Sequence, residues 1–86
     1  MLRTQNLTLT STAQELTIDD MIDTSNTISV QNTHASAPAY IGNELVTADN
    51  YGIKLSAGQI WSADLGPNDK IYAYGDSTVS VFILER

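Results

Sequence analysis

The stretch YIGNELVTADNYGIKLSAGQIW, residues 40–61, is where the fold class is decided. A strand-like AYIG runs into a polar tip, GIKL returns, Ser56-Ala57-Gly58 turns, and a segment bearing the only tryptophan follows. Strand, turn, strand, turn within so few residues is the rhythm of a β protein, because such runs are too short for stable helices. YIG closes a strand at a turn, GIKL comes back through the same layer, and the Ala57-Gly58 turn leads into the strand that carries Trp61.

Working outward, the same grammar continues. Thr and Ser together make eighteen residues interleaved with Val, Ile, Leu and Tyr, and that mixture suits a pleated, half-buried surface. In NLTLT, Leu7 and Leu9 share one face, with Thr8 and Thr10 on the other. In TISVQN, Ile28 pairs with Val30. In STVSVFIL, Val79, Val81 and Ile83 line one face while Phe82 and Leu84 line the second, as expected of a central or interface strand. Ala37-Pro38-Ala39 suits the first residues of a strand. Turns are expected at Asp49-Asn50-Tyr51-Gly52, Gly66-Pro67-Asn68-Asp69 and Gly75-Asp76-Ser77. The middle one is the strongest, since proline presets φ and Asn tolerates a left-handed backbone. Turns at this spacing predict an all-β chain, a small antiparallel β-sandwich or jelly roll of about 7–8 short strands.

Residues 1–10 read as an N-terminal arm or first strand, with residues 1–6 as a mobile arm, and residues 11–86 as a single sandwich domain. Within the segment 11–26, Thr12-Ala13-Gln14-Glu15 could be a capping box. Leu16, Ile18, Met21 and Ile22 hold no clean helical stripe, so a loop with one more strand around residues 16–18 is expected.

With 86 residues the chain is one domain at most, and domains this small bury a modest share of their surface. No cysteine is present to staple it. A single histidine makes zinc improbable as a substitute. An economical fold or burial against a partner is therefore expected. Ten acidic against four basic residues, a net charge of −6, disfavour nucleic acid and anionic membrane surfaces as partners. The first ten residues lack the apolar core of a secretory signal, and no run reaches the length of a membrane span.

Catalytic chemistry finds little support. His34, the lone imidazole, lies in a strand-to-turn connection, without the nucleophile and carboxylate that would orient it. Glu15, Asp19, Asp20 and Asp23 cluster, but without the alternate-position ligands and mid-loop glycine of a calcium loop. A solvated acidic loop is the expectation, and neither a metal, a cofactor nor an enzymatic activity is expected. The aromatics are better surface candidates. Ile60 and Trp61 must point to opposite faces of their strand, and an outward tryptophan marks a binding surface whereas an inward one packs a core. Tyr72 and Tyr74 share a face, with interface and core readings both open.

In serial order, TISVQN (27–32), YIG (40–42), VTADNYGIKL (46–55), the Ala57-Gly58 turn, IYA (71–73) and TVSVFIL (78–84) resemble a recurrent small virion protein of tailed bacteriophages, covering residues 26–86. The resemblance implies a jelly-roll or sandwich unit of the capsid decoration or cement type, made in the host cytoplasm and placed on the capsid exterior. Its implied partners are the major capsid protein and, in a homotrimer, copies of itself. Leu7, Leu9, Trp61, Tyr72, Tyr74 and Phe82 are then the interface candidates, with the arm around residues 2–9. The family has no catalytic motif to carry over, and the first 25 residues fall outside it. An alternative is a carbohydrate- or receptor-binding module of a phage tail or fibre. There Tyr40, Tyr51 and Trp61 would stack on sugar rings, and Asn43, Asp49 and Asn50 would hydrogen-bond hydroxyls.

Overall fold

The computed structural model of the chain describes residues 2–18 and 24–85. Its elements are all strands: β1 (Leu2–Thr8), β2 (Gln14–Glu15), β3 (Asn26–Asn32), β4 (Ala39–Gly42), β5 (Ile53–Leu55), β6 (Ile60–Leu65), β7 (Tyr72–Tyr74) and β8 (Thr78–Glu85). They form two four-stranded antiparallel sheets, ordered β1-β8-β3-β6 and β2-β7-β4-β5. First pairs with last, second with seventh, third with sixth, fourth with fifth. This is a long hairpin ribbon rolled so that each arm alternates between the two sheets, the jelly roll of the all-β classes. The ribbon's tip is the β4–β5 hairpin, inside the stretch from which the sequence reading began.

The period-two pattern decides which side chains enter the core. In β3, Asn26, Ile28, Val30 and Asn32 are buried while Thr27, Ser29 and Gln31 face out. In β8, Val79, Val81 and Ile83 point inward and Phe82 and Leu84 outward, and β8 is indeed an inner strand of its sheet. The second sheet contributes Ala39, Ile41, Leu55 and Ala73 to the same cluster. Removing that apolar surface from water supplies the main drive to fold.

Two expectations are corrected here. Where residues 1–6 were expected as a mobile arm, Leu2–Thr8 form an edge strand in register with β8 from Leu2↔Leu84 to Thr8↔Thr78. The extra strand of the segment 11–26 lies at Gln14–Glu15 rather than around Leu16–Ile18, paired with Ala73 and Tyr72. Leu16 follows it into the core as a fully buried anchor, and its N–H donates to the Ile71 carbonyl at 2.8 Å. A strand this short needs only two paired residues before that anchor takes over. The acidic group that Glu15 was expected to form with Asp19, Asp20 and Asp23, and the positions Met21 and Ile22, lie outside the described residues.

The turns follow their chemistry. In Gly66-Pro67-Asn68-Asp69, Asn68 adopts φ 67°. The Asp69 N–H donates to the Gly66 carbonyl at 3.2 Å, and the Asp69 carboxylate accepts the Gly66 N–H at 2.8 Å. At Ser56-Ala57-Gly58 the left-handed residue is Gly58, φ 80°.

Candidate functional site

A two-layer sandwich presents two broad faces, and their contents differ. On the β1-β8-β3-β6 sheet the pairing register sets the outward side chains in three rows. The first is Leu2, Leu84, Thr27 and Asp64; the second Thr4, Phe82, Ser29 and Ser62; the third Asn6, Ser80, Gln31 and Ile60. Leu2, Ile60, Phe82 and Leu84 are exposed there, four of the six large hydrophobics that the described residues leave exposed. Between them the polar side chains bond across strands. The Thr27 hydroxyl donates to the Asp64 carboxylate at 3.0 Å, Ser29 and Ser62 meet at 2.7 Å, and the Ser80 hydroxyl donates to the Asn6 amide oxygen at 2.8 Å. A shallow groove of about 390 Å³ lies between Ile60 and Phe82, floored by Ser29, Gln31 and Ser80.

The β2-β7-β4-β5 face is aromatic. Tyr40 is paired with Tyr74 on one side and Lys54 on the other. Its ring centroid lies 5.0 Å from Tyr51 and 6.3 Å from Tyr74, both tilted, and the Lys54 Nζ sits 5.9 Å from it. Tilted rings at these separations use their quadrupoles favourably, and a cation near a ring face adds to this. Beside them a groove of about 330 Å³ runs along Pro38, Tyr40 and Tyr74 to Asp76.

The residues singled out from the sequence therefore divide. Leu9 is in the core, and Leu7 and Trp61 pack against it from the inside; Ile60, not Trp61, faces out from β6. Of these three Leu9 is buried, whereas Leu7 and Trp61 are half-buried, and Trp61 also lines a shallow groove with Ile53, Lys70 and Ile71. Phe82 lies on one broad face, Tyr72 and Tyr74 on the opposite one. Of the sugar-binding set, Tyr40 and Tyr51 come together, Tyr74 stands where Trp61 was expected, and the Asn43 and Asn50 side chains bond within the hairpin tip, where Asp49 is held by its backbone. There the Asn43 side chain accepts the Leu45 N–H, the Asn50 amide donates to the Leu45 carbonyl, and the Asp49 N–H donates to the Thr47 hydroxyl. His34 is a loop residue whose Nδ1 accepts the N–H groups of Ser36 and Ala37 at 3.1 and 2.9 Å. Among the described residues no cluster of three His, Asp or Glu could hold a metal ion.

Sequence reasoning passed over Leu2, Ile60 and Leu84 as one surface with Phe82. The alternation put Leu84 on one face with Phe82, left Ile60 and Trp61 open between the two faces, and assigned none to Leu2. Only the pairing of first strand with last, and of third with sixth, brings them together.

No family model matches the chain, and no curated protein matches it. Among solved structures it is similar to a chain of Bacillus endospore appendages, described as a novel family of disulfide-linked pili. The TM-score is 0.56 at 11% identity, covering 96% of this chain and 82% of that one. This chain holds no cysteine, so the covalent link named for those pili has no counterpart here. What the two share is the fold of a small all-β protein.

Proposed function

We propose that the chain is a non-enzymatic structural subunit of a multi-copy particle, and that the particle is a tailed-phage virion, on whose capsid exterior it bridges neighbouring major capsid subunits. The observation that carries the reading is the outer face of the β1-β8-β3-β6 sheet, which gathers four of the six large apolar side chains exposed among the described residues into one internally bonded surface. A surface of this kind marks a protein contact. The serial motif order supports the virion as its setting. The fold shared with an appendage protein supports assembly more broadly. Without cysteine the contacts are non-covalent, and attachment at several sites makes a modest affinity at each one sufficient. The test is quantitative mass spectrometry of purified virions. A copy number that scales with the major capsid protein supports decoration, a tail-like copy number moves the chain to the tail, and absence from the particle ends the reading.

The tyrosine face favours a second reading, a glycan- or receptor-binding module of a tail or fibre. Tyr40, Tyr51 and Tyr74 offer aromatic surface beside a groove that ends at a carboxylate. Retention of the purified chain on immobilised host-surface polysaccharide, lost in Tyr40→Ala, would support it; passage without retention would count against it.

A further inference from the structure

We propose that the outer face of the β1-β8-β3-β6 sheet seats against the same face of a second copy of this chain, about a twofold axis. The inference rests on the structural-subunit reading and names the partner that this face takes first.

Charge selects the occupant. The chain carries ten acidic and four basic residues, net −6, so two copies repel wherever carboxylates would be brought together. The three rows of four side chains hold a single charged residue, Asp64, whose carboxylate already accepts the Thr27 hydroxyl. This is the broad face on which like-charged copies can meet without facing carboxylates. A basic partner would gain nothing from its neutrality.

Chemistry and area agree with charge. Ser29 with Ser62, and Ser80 with Asn6, keep their bonds when water leaves, which lowers the cost of desolvating them. Leu2, Ile60, Phe82 and Leu84 supply the apolar contact, and the groove between Ile60 and Phe82 receives an apolar side chain from the facing copy. A standard interface takes about 800 Å² from each partner, roughly a sixth of the 4695 Å² this chain exposes. In a molecule measuring 33 × 23 × 17 Å, one broad face supplies that share. A patch that meets itself is isologous and closes in twos, so the pair, rather than the trimer implied by the phage resemblance, is the unit of self-association.

The test is light scattering and sedimentation equilibrium of the full chain over a dilution series, at low and high salt. The expected result is a species of twice the 9.3 kDa chain mass, tightening as salt screens the repulsion. Ile60→Glu and Phe82→Glu are expected to weaken pairing by at least about tenfold with unchanged circular dichroism. Leu45→Glu, the same change in charge and polarity at the exposed hairpin tip, leaves pairing within about twofold after repulsion is screened. A monomer at millimolar concentration, a trimer, or a pair indifferent to both face variants would overturn the proposal. A monomer that nevertheless occurs in purified virions would sink this inference and leave the structural reading standing. A face-dependent pair absent from virions would do the reverse.

Discussion

The Asn32 side chain lies fully buried where β3 leaves its sheet, and it uses every hydrogen-bonding position an amide offers. Its Nδ2 donates to the carbonyls of Leu55 and Ala37, both at 2.9 Å, while its Oδ1 accepts from the His34 N–H and the Ser77 hydroxyl, also at 2.9 Å. One side chain thus ties together the β3–β4 loop, the end of β5 and the corner before β8. Asn32→Ala would strand several buried polar groups at once, so a loss of about 3 kcal/mol or more is expected in urea unfolding. Ser77→Ala should cost about 1 kcal/mol, because Asn32 keeps its other three bonds. An Asn32→Ala variant as stable as the parent would refute the role of pin. The same corner demands glycine at position 75, where φ is 137° and an added Cβ would stand 2.9 Å from the Pro38 carbonyl oxygen. At Gly58 φ is 80° and the space is open. Gly75→Ala is therefore expected to cost about 3 kcal/mol, from strain plus overlap, against about 1 kcal/mol for Gly58→Ala from strain alone. Melting temperatures in the reverse order would contradict this geometry.

Among the elements, β6 shows most plainly how one residue of register chooses a face. Ile60 pairs with Gln31 and Trp61 with Val30. Val30 is fully buried, so its partner turns inward with it and Ile60 turns out. Truncating Trp61 to alanine should cost about 2 kcal/mol, below the range for fully buried aromatic residues because the ring is only half-buried. Ile60→Thr should stay within about 0.5 kcal/mol, as an exposed strand position. Equal costs at the two sites would mean that the register is shifted. Since Trp61 is the only tryptophan, its emission reports the result directly: it should lie to the blue in the folded chain and move red on unfolding. β8 carries apolar residues on both faces for two separate reasons. One face fills the core, and the other meets Leu2 and Ser29 on the outside of the sheet.

For the molecule as a whole, the rolled ribbon makes the two ends of the chain interdependent. β1 pairs with β8 over seven residues, and most contacts are long-range. Loop closure must precede them, so folding is expected to be slow for a chain this size, in milliseconds to seconds. Deleting residues 1–8 would bare β8 as an edge and uncover the core beneath Leu7. The truncated chain is expected to lose its cooperative thermal transition and to aggregate, since a bare apolar edge templates further pairing. A soluble, cooperatively melting truncation would show that β1 is dispensable, as an arm would be.

The alternation in 27–31 and 78–84, the turn residues at 56–58 and 66–69, and the proline before β4 were enough to establish an all-β chain with its inner and outer faces. Each of those signals acts within a few residues, through pleat and φ. The inward turn of Trp61 was not legible, because a strand with apolar residues at both parities fits either face until a buried partner such as Val30 fixes its register. The brevity of β2 was hidden too, since Leu16 is held by the Ile71 carbonyl, far along the chain. The two broad faces, one apolar with Asp64 as the single charge in its rows, the other aromatic, exist only once first strand lies beside last and third beside sixth. The sequence thus determined what each strand offers to either side. Tertiary structure alone decided which of those offers lie together, because side chains from distant strands share a surface only through the hydrogen-bonded register that folding creates.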